Sequence, residues 1–270
     1  MTPLLAVILT AAAVCAFVWI ASLITGDHSW VDRIWSIVPV VYVWIFAAFA
    51  GLTDPRLNVM AVLVTLWGAR LTFNFARKGG YSGTEDYRWP ILRARMKRWQ
   101  FELFNLFFIT LYQNLILLLI TLPALTAYEH RSTPFGLLDA VDAVVFLALL
   151  AGETLADQQQ WNFHARKKAG GADFRPRFLQ TGLWRYSRHP NFFFEQAQWW
   201  ALFFFGAVAA GSVLQWTVLG AVLLTLLFVG STVFTESITR GKYPEYAEYQ
   251  ATTSPIIPFP PRRAKATVTA

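Results

Sequence analysis

Long apolar runs separated by short polar punctuation set the pattern of this chain. From Pro3 to Ile24 no charged residue appears, and a helix of that length crosses about 30 Å of hydrocarbon. The run is too long for the apolar core of a signal peptide and lacks a basic leader, so it reads as a retained span. Six further stretches follow the same pattern: Ile34–Leu52, Leu57–Phe75, Leu103–Leu125, Leu137–Leu155, Phe192–Ala209 and Leu214–Phe234. They predict an all-α polytopic membrane protein with seven transmembrane helices. Residues 1–260 are expected to form a single seven-helix domain, followed by a basic C-terminal tail over 261–270. No internal repeat is evident, which sets the chain apart from transporters built of inverted halves.

Composition supports the class, with 56% apolar and only 14% charged residues. Charge then adds an orientation. Most of the 23 Lys and Arg fall within Arg77–Arg98, Arg166–Arg188 and Arg240–Lys265. Placing all three on one side by the positive-inside tendency puts the N-terminus outside and the C-terminus in the cytoplasm, as in a multi-pass protein of a bacterial inner membrane. Such clustering argues against a nucleic-acid face and for anionic membrane lipids or an anionic cofactor. Cys15 is the lone cysteine, and His28, His130, His164 and His189 lack metal-ligand spacing, so no metal site is expected.

The candidate chemistry centres on Gly182–Glu195, which runs from a turn glycine through a basic aromatic stretch into an apolar segment. Pro190 suits a helix start. The free N–H groups of that start, beside Arg185, Arg188 and His189, form a corner suited to phosphate or carboxylate. Asn191 and Glu195 inside the segment exceed what a membrane anchor requires. Upstream, Glu153, Asp157, Gln160 and His164 are spaced four, three and four, so they share one helical face. A polar stripe running out of the membrane lines a cavity rather than facing lipid. Arg175 and Arg177 then lead into the central stretch and could fork onto phosphates.

Three other places carry chemistry. Asp32 sits where the chain re-enters the membrane, either paired with Arg33 or part of a site. The loop Glu85–Arg88 sets two acids, the Tyr87 phenol and a guanidinium side by side, as a proton-donating group or as local ion pairs on a solvated loop. Glu236 and Arg240 form an i,i+4 pair, and Tyr243, Tyr246 and Tyr249 recur every three residues as a face for a flat ring or an interfacial belt.

Arg188-His189-Pro190-Asn191-Phe192 with Glu195, followed by Glu236 and Lys242-Tyr243-Pro244-Glu245-Tyr246, resembles the C-terminal half of the steroid 5α-reductase superfamily. With the Asp32/Trp35 turn and the Glu85–Arg88 loop, residues 25–260 look most like its bacterial, DUF1295-like branch. The resemblance implies seven spans whose cytoplasmic loops close a cofactor cavity. It implies an NADPH-dependent reductase of the 3-oxo-5α-steroid 4-dehydrogenase type, acting on the C=C bond of a lipid-soluble enone, and the chain is expected to be a monomer. It also implies that Asp157, Arg177, Asn191 and Glu195 contact the cofactor, with Arg188, His189, Glu236 and Tyr246 close by. Animal members draw a glutamate from the turn before the second span and a tyrosine from the third. Here those stretches supply Asp32 and Trp67, so Asp32 with Glu85 or Tyr87 is expected to replace them as catalytic groups. The alternative is an S-adenosylmethionine-dependent membrane methyltransferase of the isoprenylcysteine or phospholipid type, which shares the Arg-His-Pro corner.

Overall fold

Start and stop signals in the sequence delimit the helices of the computed structural model, which describes residues 1–262 apart from Thr84, Tyr87 and the side chain of Ala172. Helix α1 (Pro3–Thr25) begins where the Thr2 hydroxyl accepts from the Leu5 amide at 3.2 Å. It ends at Gly26, whose φ of 66° needs no Cβ relief. The short α2 (Trp30–Ile34) leads to α3 (Val38–Phe49). Asp54 then caps α4 (Pro55–Arg77), accepting from the Leu57 amide at 2.8 Å. Helices α5 (Arg88–Ala94) and α6 (Arg98–Phe104) follow, and α6 continues through a π-helical stretch, Asn105–Tyr112, into α7 (Gln113–Leu119) and α8 (Pro123–Glu129). The second half holds α9 (Leu137–Ala169), α10 (Pro190–Ala210), α11 (Val218–Lys242) and α12 (Tyr246–Thr252). No strand occurs among the described residues.

Among the described residues, four segments are long and apolar enough to cross a membrane: Pro3–Thr25, Pro55–Arg77, Arg98–Glu129 and Val218–Lys242. They coincide with four of the seven predicted spans. The other three differ for physical reasons. The stretch expected over Ile34–Leu52 contains only the 12-residue α3, about 18 Å long at 1.5 Å per residue. Helices α9 and α10 have 33 and 21 residues, but Asp139, Asp142 and Glu153 in one, and Glu195, Gln196 and Gln198 in the other, dilute their apolar character. Helix α9 runs on past the end of its predicted span at Leu155 to Ala169, so Glu153, Asp157, Gln160 and His164 lie on one helix.

The chain divides into two compact units: unit 1, Met1–Phe146 with Trp199–Leu223, and unit 2, Leu147–Gln198 with the chain from Leu224 onward. In unit 1, α3 packs on α4. A Cβ on Gly68 would lie 2.5 Å from the Ser36 carbonyl oxygen, so glycine sets that approach. A buried ion pair also ties unit 1. Arg56 Nε meets Asp139 Oδ1 at 2.6 Å, and the same guanidinium donates to the Thr133 and Pro134 carbonyls at 3.0 Å. Gly220 of α11 faces the Leu119 backbone so closely that a Cβ would overlap it. Gly220→Val is therefore expected to destabilise the protein by about 1–3 kcal/mol, the usual range for overpacking, measurable as earlier thermal unfolding in detergent. A wild-type transition would refute the close approach.

Candidate functional site

In unit 2 the central stretch is fixed from both sides. Gly182 adopts φ +65°, and a Cβ there would strike the Gln159 side chain, whose Oε1 accepts from the Leu183 amide at 2.9 Å. Trp184 Nε1 donates to the Ala156 carbonyl at 3.2 Å, tying the stretch to α9. From the other side, the Ser187 hydroxyl donates to the Ile256 carbonyl at 2.6 Å, and the Arg188 amide donates to the Ser254 carbonyl at 2.8 Å.

That strap leads to an ionic knot. Arg188 meets Glu236 through two bonds, Nε to Oε1 at 2.6 Å and Nη2 to Oε2 at 3.0 Å. Its Nη1 donates to the Gln250 carbonyl at 3.1 Å and to the Thr253 carbonyl. Glu236 also accepts from His189 Nε2 at 3.1 Å, the Tyr246 hydroxyl at 3.2 Å and Gln250 Nε2 at 2.8 Å. Arg188, His189, Glu236 and Tyr246 thus form one cluster. Four of the five Arg188 N–H groups have partners among the described residues. Glu236 turns to these groups and makes no pair with Arg240.

Tyr243, Tyr246 and Tyr249 gather on a flat ring, and that ring is the chain's own Phe178. Its centroid lies 6.4, 4.9 and 5.6 Å from theirs. Burial raises the Tyr246 and Tyr249 phenols above their ordinary range. Tyr243 lies lower, because Lys167 bonds its hydroxyl at 3.2 Å.

Two polar stripes face each other between α9 and α10. On α9, Glu153 and Asp157 are buried, Gln160 is half-buried and His164 is exposed. On α10, Asn191, Glu195 and Gln198 share a face at spacings of four and three. Gln198 Nε2 joins the stripes, donating to Glu153 Oε2 at 2.7 Å, and Gly152 lets the Phe194 ring approach. Asp157 and Glu195 are buried and engaged. Asn191 Oδ1 and Gln198 Oε1 are buried with no hydrogen-bond partner among the described residues. Nearby in sequence, Arg177 is half-buried, and its side chain forms no ion pair among the described residues. Sequence reasoning missed Gln198, although its spacing from Asn191 and Glu195 carried the signal.

In unit 1 the loop after α4 docks on the turn before α2. The Ser29 hydroxyl accepts from the Asp86 amide at 2.8 Å, and the Tyr81 hydroxyl donates to the Arg33 carbonyl at 3.0 Å. Arg33 pairs with Asp27 at 2.5 Å and Arg88 pairs with Asp86 at 2.8 Å, so Asp32 is not held by Arg33. Asp32 Oδ2 instead accepts from Trp89 Nε1 at 3.3 Å. Burial pushes the Asp32 carboxyl up to about 6, with the Arg88 charge opposing. Glu85 is differently placed, because its Oε1 accepts from Arg93 at 2.5 Å and lies 3.3 Å from His28 Nδ1. Tyr87, the third expected catalytic group, lies outside the described residues.

With this geometry in hand, residues 18–253 match a family model described as protein of unknown function (DUF1295). The chain belongs to the DUF1295 family. That family falls within the steroid 5α-reductase-like group. The DUF1295 chain is 40% identical over 252 residues to an uncharacterized protein, C594.04c, of Schizosaccharomyces pombe, covering 86% of this chain and 73% of that one. No solved structure matches it. The DUF1295 match spans both the Asp32 turn and the Arg188–Glu236 knot.

Proposed function

We propose that this chain is a membrane-embedded oxidoreductase that reduces the C=C bond of an enone lipid, of the 3-oxo-Δ4 steroid type, with hydride from NADPH. The observation that carries the reading is the pair of facing stripes on α9 and α10, with two buried acceptors lacking donors. Buried polar groups are normally satisfied, so such atoms call for a ligand that brings N–H or O–H groups. A carboxamide and ribose hydroxyls fit Asn191 Oδ1, Glu195, Asp157 and Gln198 Oε1. Phosphates fit Arg177, which has no anionic partner among the described residues, together with the basic run around it.

NADPH, when bound, supplies the hydride that the enone β-carbon takes, and negative charge develops on the carbonyl oxygen. Asp32 is assigned the matching proton. A carboxyl raised to about 6 holds a proton close to neutral pH and releases it readily, as a general acid requires. Glu85 is assigned to holding the loop through Arg93 and His28. The reading includes seven spans in a bacterial inner membrane, an external N-terminus, a cytoplasmic C-terminus and a monomeric state. The apolar bundle rich in Phe and Trp suits a flat substrate entering from lipid.

The test is thermal unfolding of the detergent-purified chain with NADPH, NADH or S-adenosylmethionine. At 100 times its dissociation constant a ligand adds about 2.7 kcal/mol of stability. The expected result is a shift with NADPH. A shift with S-adenosylmethionine alone would transfer the chain to the methyltransferases.

A further inference from the structure

Unit 2 holds a cavity that belongs to neither polar stripe. Its volume is about 590 Å³, within the range of about 300–1,000 Å³ usual for ligand sites. Apart from Arg188, its lining comes from the chain between Gln250 and Arg262, and among the described residues α9 and α10 contribute nothing to it. Two backbone bonds hold that strap in place. The Phe259 amide donates to the Tyr186 carbonyl at 2.9 Å, and the Arg262 amide donates to the Thr252 carbonyl at 2.8 Å.

The polar atoms around the cavity are unevenly spent. The carbonyls of Gln250, Thr253 and Ser254 each accept from Arg188, and that of Thr252 accepts from Arg262. Acceptors are thus occupied while donors are left over. The Thr253 and Ser254 hydroxyls and the Arg262 guanidinium make no hydrogen bond or ion pair among the described residues, and the fifth Arg188 N–H has no partner there either. Among the described residues no carboxylate lines the cavity. Glu236 pairs with Arg188 and balances its charge, so the surplus positive charge comes from Arg262. A donor-rich lining of this kind selects an anion with several oxygens, and phosphate fits it.

The rest of the lining is apolar. Pro255, Phe259 and Pro260 face the same cavity, and Phe259 and nearby Ile257 are 59% and 56% exposed. Large apolar side chains left open beside a basic residue suit the boundary between lipid headgroups and acyl chains. The place along the chain agrees. Arg188 and Gln250 are both anchored to Glu236, close to the Lys242 end of α11, a helix apolar enough to span a membrane. From Glu236 to that end is about 9 Å at 1.5 Å per residue, which sets the cavity at headgroup depth.

We propose that this cavity binds the phosphate headgroup of an anionic phospholipid, with Arg262, Thr253, Ser254 and Arg188 donating to its oxygens and Phe259 meeting the acyl chains. A headgroup so held bridges Arg188 to the strap and stabilises the chain that positions Ser187 and the start of α10. The site is independent of the reductase reading, because its ligand is neither cofactor nor substrate.

The probes are short-chain phosphatidylglycerol, phosphatidylcholine with the same acyl chains, and inorganic phosphate. Each is titrated against the purified full chain in an uncharged detergent, without NADPH, and the shift in thermal unfolding gives the dissociation constant. Phosphatidylglycerol is expected to raise the unfolding temperature, with phosphatidylcholine and phosphate at least ~10-fold weaker. Arg262→Gln removes a charge-assisted bond from an exposed side chain, and is expected to weaken phosphatidylglycerol by ~10-fold or more while unliganded unfolding stays in place. Ser254→Ala is expected to weaken it less, and Lys242→Gln, which removes an equal charge outside the cavity, to bind as wild type does. No shift with phosphatidylglycerol, or an equal one with phosphatidylcholine, would overturn the proposal. Phosphate matching the lipid would give the cavity to a soluble anion and overturn the lipid as its ligand. Equal losses in Lys242→Gln and Arg262→Gln would reduce the effect to surface charge and overturn the cavity as its source.

Discussion

Asp32→Asn is expected to lower turnover by about 10²–10⁴-fold, the usual contribution of a positioned general acid, while NADPH binds as before. The amide keeps the size of the carboxyl and can still accept from Trp89 Nε1, which lies 3.3 Å from Asp32 Oδ2. The change therefore removes acidity rather than packing. The pH dependence follows from the raised carboxyl. Asp32 moves from 3.8 to about 6 because it is buried, so the protonated, proton-donating form declines as pH rises through about 6. Turnover should fall on that limb, and the limb should vanish in Asp32→Asn. Stability follows the same sign. The folded protein holds this proton more tightly than the unfolded chain, so the contribution is complete below 3.8 and is lost as pH rises through about 6. Steady-state turnover against pH, with NADPH affinity measured separately, checks both. Wild-type turnover in Asp32→Asn would remove Asp32 from the mechanism. Glu85→Gln should cost less, because Glu85 already faces Arg93 at 2.5 Å and His28 at 3.3 Å.

Local sequence signals mark the local structure. Thr2 with Pro3, and Asp54 with Pro55, start helices where caps belong, and the spacing of Glu153 and Asp157 foretold a buried face. Choices among distant partners were not legible. Arg33 stands next to Asp32 in the chain, yet it takes Asp27, while Asp32 finds Trp89 fifty-seven residues away. Glu236 likewise bypasses Arg240, one turn along, for Arg188 forty-eight residues back. In both cases the sequence supplies several geometrically possible partners, and tertiary packing selects one. The tyrosine repeat was visible as a face, but Phe178, the ring it packs on, lies in a loop with no periodicity to announce it. The unsatisfied oxygens were invisible for the same reason, since lacking a partner is a property of the packed interior rather than of residue type.

Arg188→Met is expected to cost about 3–5 kcal/mol, the range for removing one member of a buried ion pair. Both partners are under a tenth exposed, so Glu236 would keep its charge in a buried place with only His189, Tyr246 and Gln250 as donors. The Gln250 and Thr253 carbonyls would lose their donor too, loosening the strap that positions Ser187 and the start of α10. Replacing both charges, Arg188→Met with Glu236→Leu, should cost far less than the sum of the single changes, because no uncompensated charge remains. Thermal and urea unfolding in detergent across the four proteins measure the coupling, and additive costs below about 1 kcal/mol would show that the pair holds little. The cycle also separates two roles for the Arg-His-Pro corner. If Arg188 chiefly contacts phosphate, Arg188→Met will weaken NADPH binding with little change in stability. If it chiefly ties the knot, stability falls first, and the phosphate effect belongs to Arg177, whose side chain has no ion-pair partner among the described residues to lose. Arg177→Gln should then raise the NADPH dissociation constant while the unfolding transition stays in place.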